Sequence, residues 1–370
     1  MPRPERPDEN VRVSGRFILL EESIDMSFAS WSVLTVDFLV VLHLALGGVT
    51  LAALLHLVNA KWRFEIRYIS VCFFVLFPLA FCLLLILLLN GARTFPWVGS
   101  PLPMPGWNSY GFLVGRELVG FGVVGVLYGL FVKYQPVSTL NPGQARLFRN
   151  IALLIPFAHV LFCTMVAWDF EMTLTPGWSS AIYGMYHFVS SFGMVLSVMV
   201  LTVMLLMHKF VSPPGTYVIN YLAQMMLAFT ILWIYTFFAQ YLIIWYANLP
   251  DETYRLFHNQ DGPFGRLFWS FFILKFVIPF PVLIFPQSRI SRGIIAFVAV
   301  SIITGYWIER YVWVAGSAAD SPWPMFSPFA IGVSIIIFST AFFMVRGAMR
   351  KYGVLPANAG VGIALHGKMD

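Results

Sequence analysis

Ionisable side chains occur inside several long apolar stretches of this sequence, where a charge is costly unless it is paired or used. Carboxylates and imidazoles at such positions can pass protons between one another. The candidates for a proton route are Asp37, His43, Arg116, Glu117, His159, Asp169, His187 and Lys275. The alternative is that the same groups form neutralising pairs that only fix helix packing.

Helix geometry limits which residues these candidates can contact. Adjacent residues on a helix point about 100° apart, so Arg116 and Glu117 face different neighbours. We expect Glu117 to face Lys275 or a histidine of another span. Asp169 and Glu171 come where an apolar run ends, and a solvated loop is their simplest interpretation.

Midplane histidines raise the question of a b-type haem, which needs two imidazoles on different helices at one depth. His43 and His159 meet only the requirement of depth, and His43 and His56 point to different faces of their helix. The three cysteines lie in apolar runs and lack the CxxC and CxxCH spacings. We therefore expect no cofactor and no metal in this chain.

The composition is that of a membrane protein. Of the 370 residues, 59% are hydrophobic and only 11% are charged, with a mean hydropathy of +0.78, whereas soluble domains are about 25% charged. The apolar runs are continuous rather than alternating, which indicates helices that span a membrane. The net charge of +6 mostly reflects the bias of Lys and Arg toward certain loops, and no nucleic-acid partner is expected.

The sequence predicts an all-α polytopic membrane protein with about nine spanning helices, in a range of eight to ten. The predicted spans are 32–58, 67–91, 108–133, 150–170, 178–210, 218–247, 265–285, 292–314 and 327–347. We expect an N-terminal tail 1–31, a first four-helix bundle 32–170, a second four-helix bundle 171–314, an additional helix 315–347 and a C-terminal tail 348–370. Lys and Arg concentrate in alternate loops and in the C-terminal tail, so we expect that tail to be cytoplasmic.

Two stretches resemble a known family. "AWDFEMTLTPGWSSAIYGMYHF", 167–188, is similar to the motif DW-x-MSL-x-P-x-W-x-S-x-x-x-G-x-Y of the NrfD-like, or polysulfide-reductase-like, membrane subunits of alternative complex III. "ILWIYTFFAQYLIIWYANLPDETYRLF", 231–257, resembles the F-type subunits (ActF) in particular. The resemblance extends from about 32 to 347. This chain differs in having nine spans instead of ten, and "DFEMTLTP" in place of "DW-x-MSL-x-P".

The resemblance implies a pair of four-helix bundles in a subunit of a bacterial quinol:electron-acceptor oxidoreductase, located in the inner membrane. Such a subunit is not catalytic alone and holds no cofactor. The c-type haems and iron–sulfur clusters belong to its partners, which are an iron–sulfur protein and multihaem and monohaem cytochromes c beside an NrfD-like C subunit. Proton half-channels are proposed for F-type subunits, and Asp169 matches the aspartate of the motif. The ionisable candidates lie in the outer half of the membrane and near its midplane, so we expect an outer half-channel.

Three other interpretations stay open at the level of the sequence. The chain is a purely structural anchor, or it binds quinol itself in a pocket near Asp37, Arg116 and Asp169. The third is a proton-coupled transporter, for which inverted repeats with broken helices are typical.

Overall fold

The computed structural model describes residues 27–98, 106, 109–135, 141–175, 177–247 and 250–356. All regular secondary structure in these ranges is helical. Nine of the helices are long and apolar enough to cross a membrane. This confirms the predicted class of an all-α, multi-pass membrane protein. The predicted tails fall mostly outside the described residues, namely at 1–26 and 357–370.

The nine spanning helices are numbered in chain order. They are α1 Phe28–Leu57, α2 Arg63–Leu89, α3 Tyr110–Lys133, α4 Pro142–Met172, α5 Tyr183–Lys209, α6 Thr216–Ala247, α7 Gly265–Ile284, α8 Arg292–Ala315 and α9 Pro328–Lys351. Three short helices, Gly91–Thr94, Pro250–Asp261 and Trp323–Phe326, lie between spans.

Helices α1, α3, α5, α7 and α9 all finish at one end of the bundle, which we call the basic end. Its residues include Lys61, Arg63, Lys133, Arg146, Arg149, Lys209, Arg289 and Arg292. The other end is called the opposite end.

Helix α4 begins well before the predicted residue 150, because local chemistry favours an earlier start. The Asn141 side chain accepts from the Gln144 backbone N–H at 2.9 Å, and the Gln144 side chain accepts from the Asn141 N–H at 3.2 Å. This reciprocal pair is a capping box. Pro142 then occupies the first helical position, where a missing N–H costs nothing.

Helix α1 is the centre of the molecule. Its most apolar window is 89% buried, and it packs against α2, α4, α5, α8 and α9. A helix that is apolar on every side belongs in the interior of a bundle. Every ionisable side chain of α1 that lies in this interior must therefore find its partner on another helix.

The remaining helices form two groups around α1. In the first group, α3 packs on α4, and α2 packs on α1. In the second group, α5, α6, α7 and α8 pack on one another. Contacts of α4 with α5 and of α1 with α8 connect the two groups, and α9 lies against α1 and α2. The predicted division of the chain at 170/171 into two bundles stays a prediction.

The close approach of α1 and α2 depends on a glycine. A Cβ atom on Gly48 would lie 2.3 Å from the backbone oxygen of Ser70, which cannot swing away as a side chain can. Small residues at helix crossings allow such backbone contact inside membranes.

Replacing Gly48 with Leu should therefore destabilise the protein by about 1–3 kcal/mol, the usual cost of overpacking. Thermal unfolding in detergent measures the effect. Gly122→Leu is the matched control, because Gly122 has open space around its Cα. Equal melting temperatures for the two variants would contradict this account of the α1–α2 contact.

Candidate functional site

Four buried charges form the centre of the candidate site, and we call them the ion quartet: Glu171, Lys275, Glu309 and Arg310. Arg310 Nη1 lies 2.8 and 2.7 Å from the two carboxylate oxygens of Glu171. Arg310 Nη2 lies 3.1 Å from Glu309 Oε2, and Lys275 Nζ lies 2.5 Å from the same oxygen. Two anions meet two cations, so the quartet is neutral as a unit.

Irregular helix geometry places two members of the quartet. Glu171 lies in a π-helical turn, Trp168–Met172, that ends α4. Lys275 lies in a second π-helical segment, Ile273–Val277, in the middle of α7. The extra residue of a π-turn changes the direction of the side chains that follow, and such turns are frequent at functional sites. Gly305 on α8 leaves room for Lys275, since a Cβ there would lie 2.6 Å from Lys275 Cγ.

Neutral donors surround the two carboxylates. The Tyr183 hydroxyl donates to Glu171 at 2.6 Å, and Trp233 Nε1 donates to Glu309 at 2.8 Å. The hydroxyl groups of Tyr186 and Ser190 also donate to Glu309. Buried charges need both a counter-ion and hydrogen bonds to offset the loss of water. The two carboxylates have both.

Two histidines connect the quartet to the centre of the bundle. His187 Nδ1 is 2.8 Å from Arg310 Nη1, and His187 Nε2 is 2.7 Å from His43 Nε2. The same nitrogen is 3.3 Å from Glu171 Oε2, which can only accept, but the Arg310 group, which can only donate, is closer. On the shorter contact, His187 Nδ1 accepts and the proton of neutral His187 is on Nε2. His187 then donates to His43 Nε2, which leaves the His43 proton on Nδ1. That nitrogen is 3.5 Å from the Cys163 sulfur, which accepts.

A second run of polar groups continues toward the basic end. His159 Nδ1 lies 2.7 Å from Thr50 Oγ1, and that oxygen lies 2.9 Å from the Tyr128 hydroxyl. The other ring nitrogen of His159 is buried and has no hydrogen-bond partner. The nearly parallel rings of His43 and His159 have their centroids 6.4 Å apart. From Glu171 to Tyr128, consecutive groups are therefore in contact except at one gap. This gap lies between the Cys163 sulfur and the free nitrogen of His159.

Beside this gap, three side chains form a group that could hold a metal ion, the one such group found in the part of the chain that the structure describes. One ligand atom each of His43, His159 and Cys163 lies within 4.8 Å of the others. Imidazole and thiolate are the ligands that zinc and copper prefer. A metal here requires His43 Nδ1 to give up the proton that Arg310 and His187 place on it. The expectation of no metal in this chain stays a prediction.

A separate cluster lies between α3 and α4. Arg116 donates twice to Asp169, from Nε to Oδ2 at 2.7 Å and from Nη2 to Oδ1. Glu117 is fully buried beside the Asp169 carboxyl group. The prediction that Glu117 faces Lys275 or a histidine is therefore wrong. The reason is that α3 packs on α4, whereas Lys275 on α7 faces α8.

Asp37 belongs to a third interface, which α1 forms with α8 and α9. Trp307 Nε1 donates to one carboxylate oxygen of Asp37 at 2.9 Å, and Ser334 donates to the other at 2.5 Å. The hydrogen bonds of Asp37 are thus to α8 and α9, whereas Arg116 and Asp169 bond to each other. The alternative of a quinol pocket near these three residues stays a prediction.

The sequence pointed to some members of this site and missed others. His43, His159, His187 and Lys275 were selected from the sequence. In the structure Lys275 belongs to the quartet, His187 contacts the quartet, and His43 contacts His187. Glu171 was expected in a solvated loop with Asp169, which is wrong because both side chains are fully buried. The pair Glu309–Arg310 stands out in the sequence as adjacent opposite charges in the apolar run around "ERY", but it was not selected for the proton route. Cys163 was not selected either.

Comparison with known proteins adds no identification. No protein family and no curated protein matches this sequence.

Charge balance within the quartet should control stability. Glu309→Gln alone leaves Lys275 buried without its carboxylate, and a broken buried pair costs about 3–5 kcal/mol. The double variant Lys275→Met/Glu309→Gln restores neutrality and should be clearly more stable than the sum of the two single losses. Thermal unfolding of the three variants in detergent measures this coupling. Additive losses would show that the two residues do not act as a pair.

Proposed function

We propose that this chain is an integral membrane subunit of a bacterial quinol:electron-acceptor oxidoreductase of the alternative complex III type. In this role it anchors the redox subunits and conducts protons through its bundle. The motifs at 167–188 and 231–257 support the family assignment. The observation that carries the proton-conducting role is the buried run of groups from the ion quartet to Tyr128.

The proposal assigns electron transfer to other subunits. Quinol would be oxidised by the complex, with c-type haems and iron–sulfur clusters in partner proteins. The bundle would lie in the bacterial inner membrane with its basic end in the cytoplasm, because Lys and Arg favour that side. The C-terminus of α9 is at that end.

The proposed proton route consists of Glu171, His187, His43, Cys163, His159, Thr50 and Tyr128. Glu171 lies at the opposite end, one residue before α4 finishes. Tyr128 lies five residues before the last residue of α3, which is about 8 Å along the axis. Such a route crosses most of the bilayer, whereas the sequence suggested that the ionisable groups stop near the midplane.

Each group of the route can receive a proton on one side and release one on the other. A proton that reaches Glu171 passes to His187 Nδ1, 3.3 Å away. His187 releases its Nε2 proton to His43, and His43 releases its Nδ1 proton to the Cys163 sulfur while the thiol gives its own proton to the free Nε2 of His159. His159 then releases its Nδ1 proton to Thr50 Oγ1, the Thr50 hydroxyl gives its proton to Tyr128, and Tyr128 passes its own proton on toward the basic end. One proton therefore leaves for each proton that enters, without any change in net charge. Rotation of the rings and of the thiol then restores the starting arrangement.

Cys163 is the link on which continuity depends. Its sulfur lies beside His43 and within 4.8 Å of a ligand atom of His159. The free nitrogen of His159 has no other partner, so it is the acceptor that a rotated thiol can reach. A thiol both donates and accepts, which an apolar side chain cannot do.

A purely structural anchor is the second candidate. The observation that favours it is the charge balance of the quartet, whose charges cancel and whose carboxylate oxygens all have donors. This candidate attributes the histidines to packing. It predicts that substitutions in the route change the amount of assembled complex but not proton movement per turnover.

Substitution of Cys163 separates the two candidates. In the intact complex in liposomes, Cys163→Ala should lower the protons moved per quinol oxidised severalfold, because alanine cannot relay a proton. Cys163→Ser should restore them, because a hydroxyl group both donates and accepts. A pH-sensitive dye trapped in the liposomes measures the proton movement.

Cys72→Ala is the matched control, since Cys72 is a buried cysteine on α2 outside the route. It should leave proton movement unchanged. Equal proton movement per turnover in Cys163→Ala and in the wild type would contradict the route through Cys163.

The complex itself can be tested by purification. The chain, tagged at its C-terminus and extracted in mild detergent, should bring with it a multihaem cytochrome c and a large iron–sulfur protein. Mass spectrometry and haem spectra identify them. A colourless chain without partners would contradict the proposed complex, and b-type haem on the separated chain would contradict the expectation that it holds no cofactor.

A further inference from the structure

A deep cleft opens at the basic end of the bundle, between α5 and α9. Its volume is about 880 Å³. Helices α1 and α2 form its back wall through Leu44 and Phe73. The side walls are apolar, with Leu205 on α5 and Phe342 on α9 both more than half exposed. The cleft is therefore open to the lipid that surrounds the protein.

The depth of the cleft matches one leaflet of a bilayer. Its lining on α9 runs from Phe338 to Arg350. At a rise of about 1.5 Å per residue this is about 18 Å. Half of a hydrocarbon core is about 15 Å. An acyl chain that enters beside α9 would reach the level of Leu44, near the middle of α1.

The rim of the cleft is basic. Arg346 and Arg350 are one turn apart on α9 and share a face. Across the cleft, His208 and Lys209 end α5. No acidic side chain lines the cleft, and these four residues take part in none of the ion pairs found within the described ranges. The positive charge at the rim is therefore not neutralised by the cleft itself.

We propose that this cleft binds one anionic phospholipid of the surrounding membrane. Its phosphate contacts Arg346, Arg350 and Lys209, and its acyl chains fill the apolar walls. Basic pockets between spanning helices on the cytoplasmic side are suited to anionic headgroups. Arginine in particular matches the geometry of phosphate oxygens. A neutral apolar occupant, such as a quinone, would leave the rim charges unpaired. This site does not depend on the proposed redox function.

Lipid binding can be measured on the full chain after delipidation in detergent. Native mass spectrometry with added phosphatidylglycerol should show one lipid retained, and phosphatidylcholine should bind far more weakly. Arg346→Gln/Arg350→Gln should weaken phosphatidylglycerol binding about 25-fold, since each basic side chain near a headgroup contributes about a factor of five. Ala341→Trp should block binding without a change of charge, because Ala341 lines the cleft.

The matched control is Arg146→Gln/Arg149→Gln, which removes two exposed charges from the same end of the bundle outside the cleft. It should leave binding unchanged. Equal binding of the two lipids, or equal losses in the two double variants, would overturn the proposal. Binding seen only after removal of residues 357–370 would also overturn it, by showing that the chain's own tail, and not a lipid, occupies the cleft of the full chain.

Discussion

The mutual neutralisation of four buried charges is the constraint on which the interior of this protein depends. Glu171, Lys275, Glu309 and Arg310 come from three helices, and all four are buried. Each is tolerable in a membrane only because the others are in place. The quartet therefore fixes the relative positions of α4, α7 and α8. It connects α4, the last helix of the first half of the chain, to two helices of the second half.

Arg310 has a second consequence, because a guanidinium group cannot accept a hydrogen bond. Its contact with His187 Nδ1 determines which nitrogen of His187 carries the proton, and that in turn determines the arrangement in His43. One fixed charge at the opposite end thus orients a run of neutral groups that continues to the middle of the membrane. A structural ion cluster and an oriented proton route are in this way two results of the same contact.

The sequence predicts the fold well, because the signal for a spanning helix is local. Continuous apolar runs gave nine helices in nearly the observed places, and the main difference, at Asn141, arises from a side-chain cap. Partners across helices carry no such local signal. The residue types at His43, His187 and Lys275 showed where chemistry was expected, but helix packing decided that Glu117 meets Asp169 and that Lys275 meets Glu309. The π-turn that buries Glu171 depends on that packing too.

The orientation of the two histidines is the most direct test of this account. Solid-state NMR of the protein in lipid bilayers, with ¹⁵N-labelled histidine, reports which ring nitrogen carries the proton. Histidine-to-glutamine variants assign the signals. The account predicts a proton on Nε2 of His187 and on Nδ1 of His43. A proton on Nδ1 of neutral His187, or on Nε2 of His43, would contradict it.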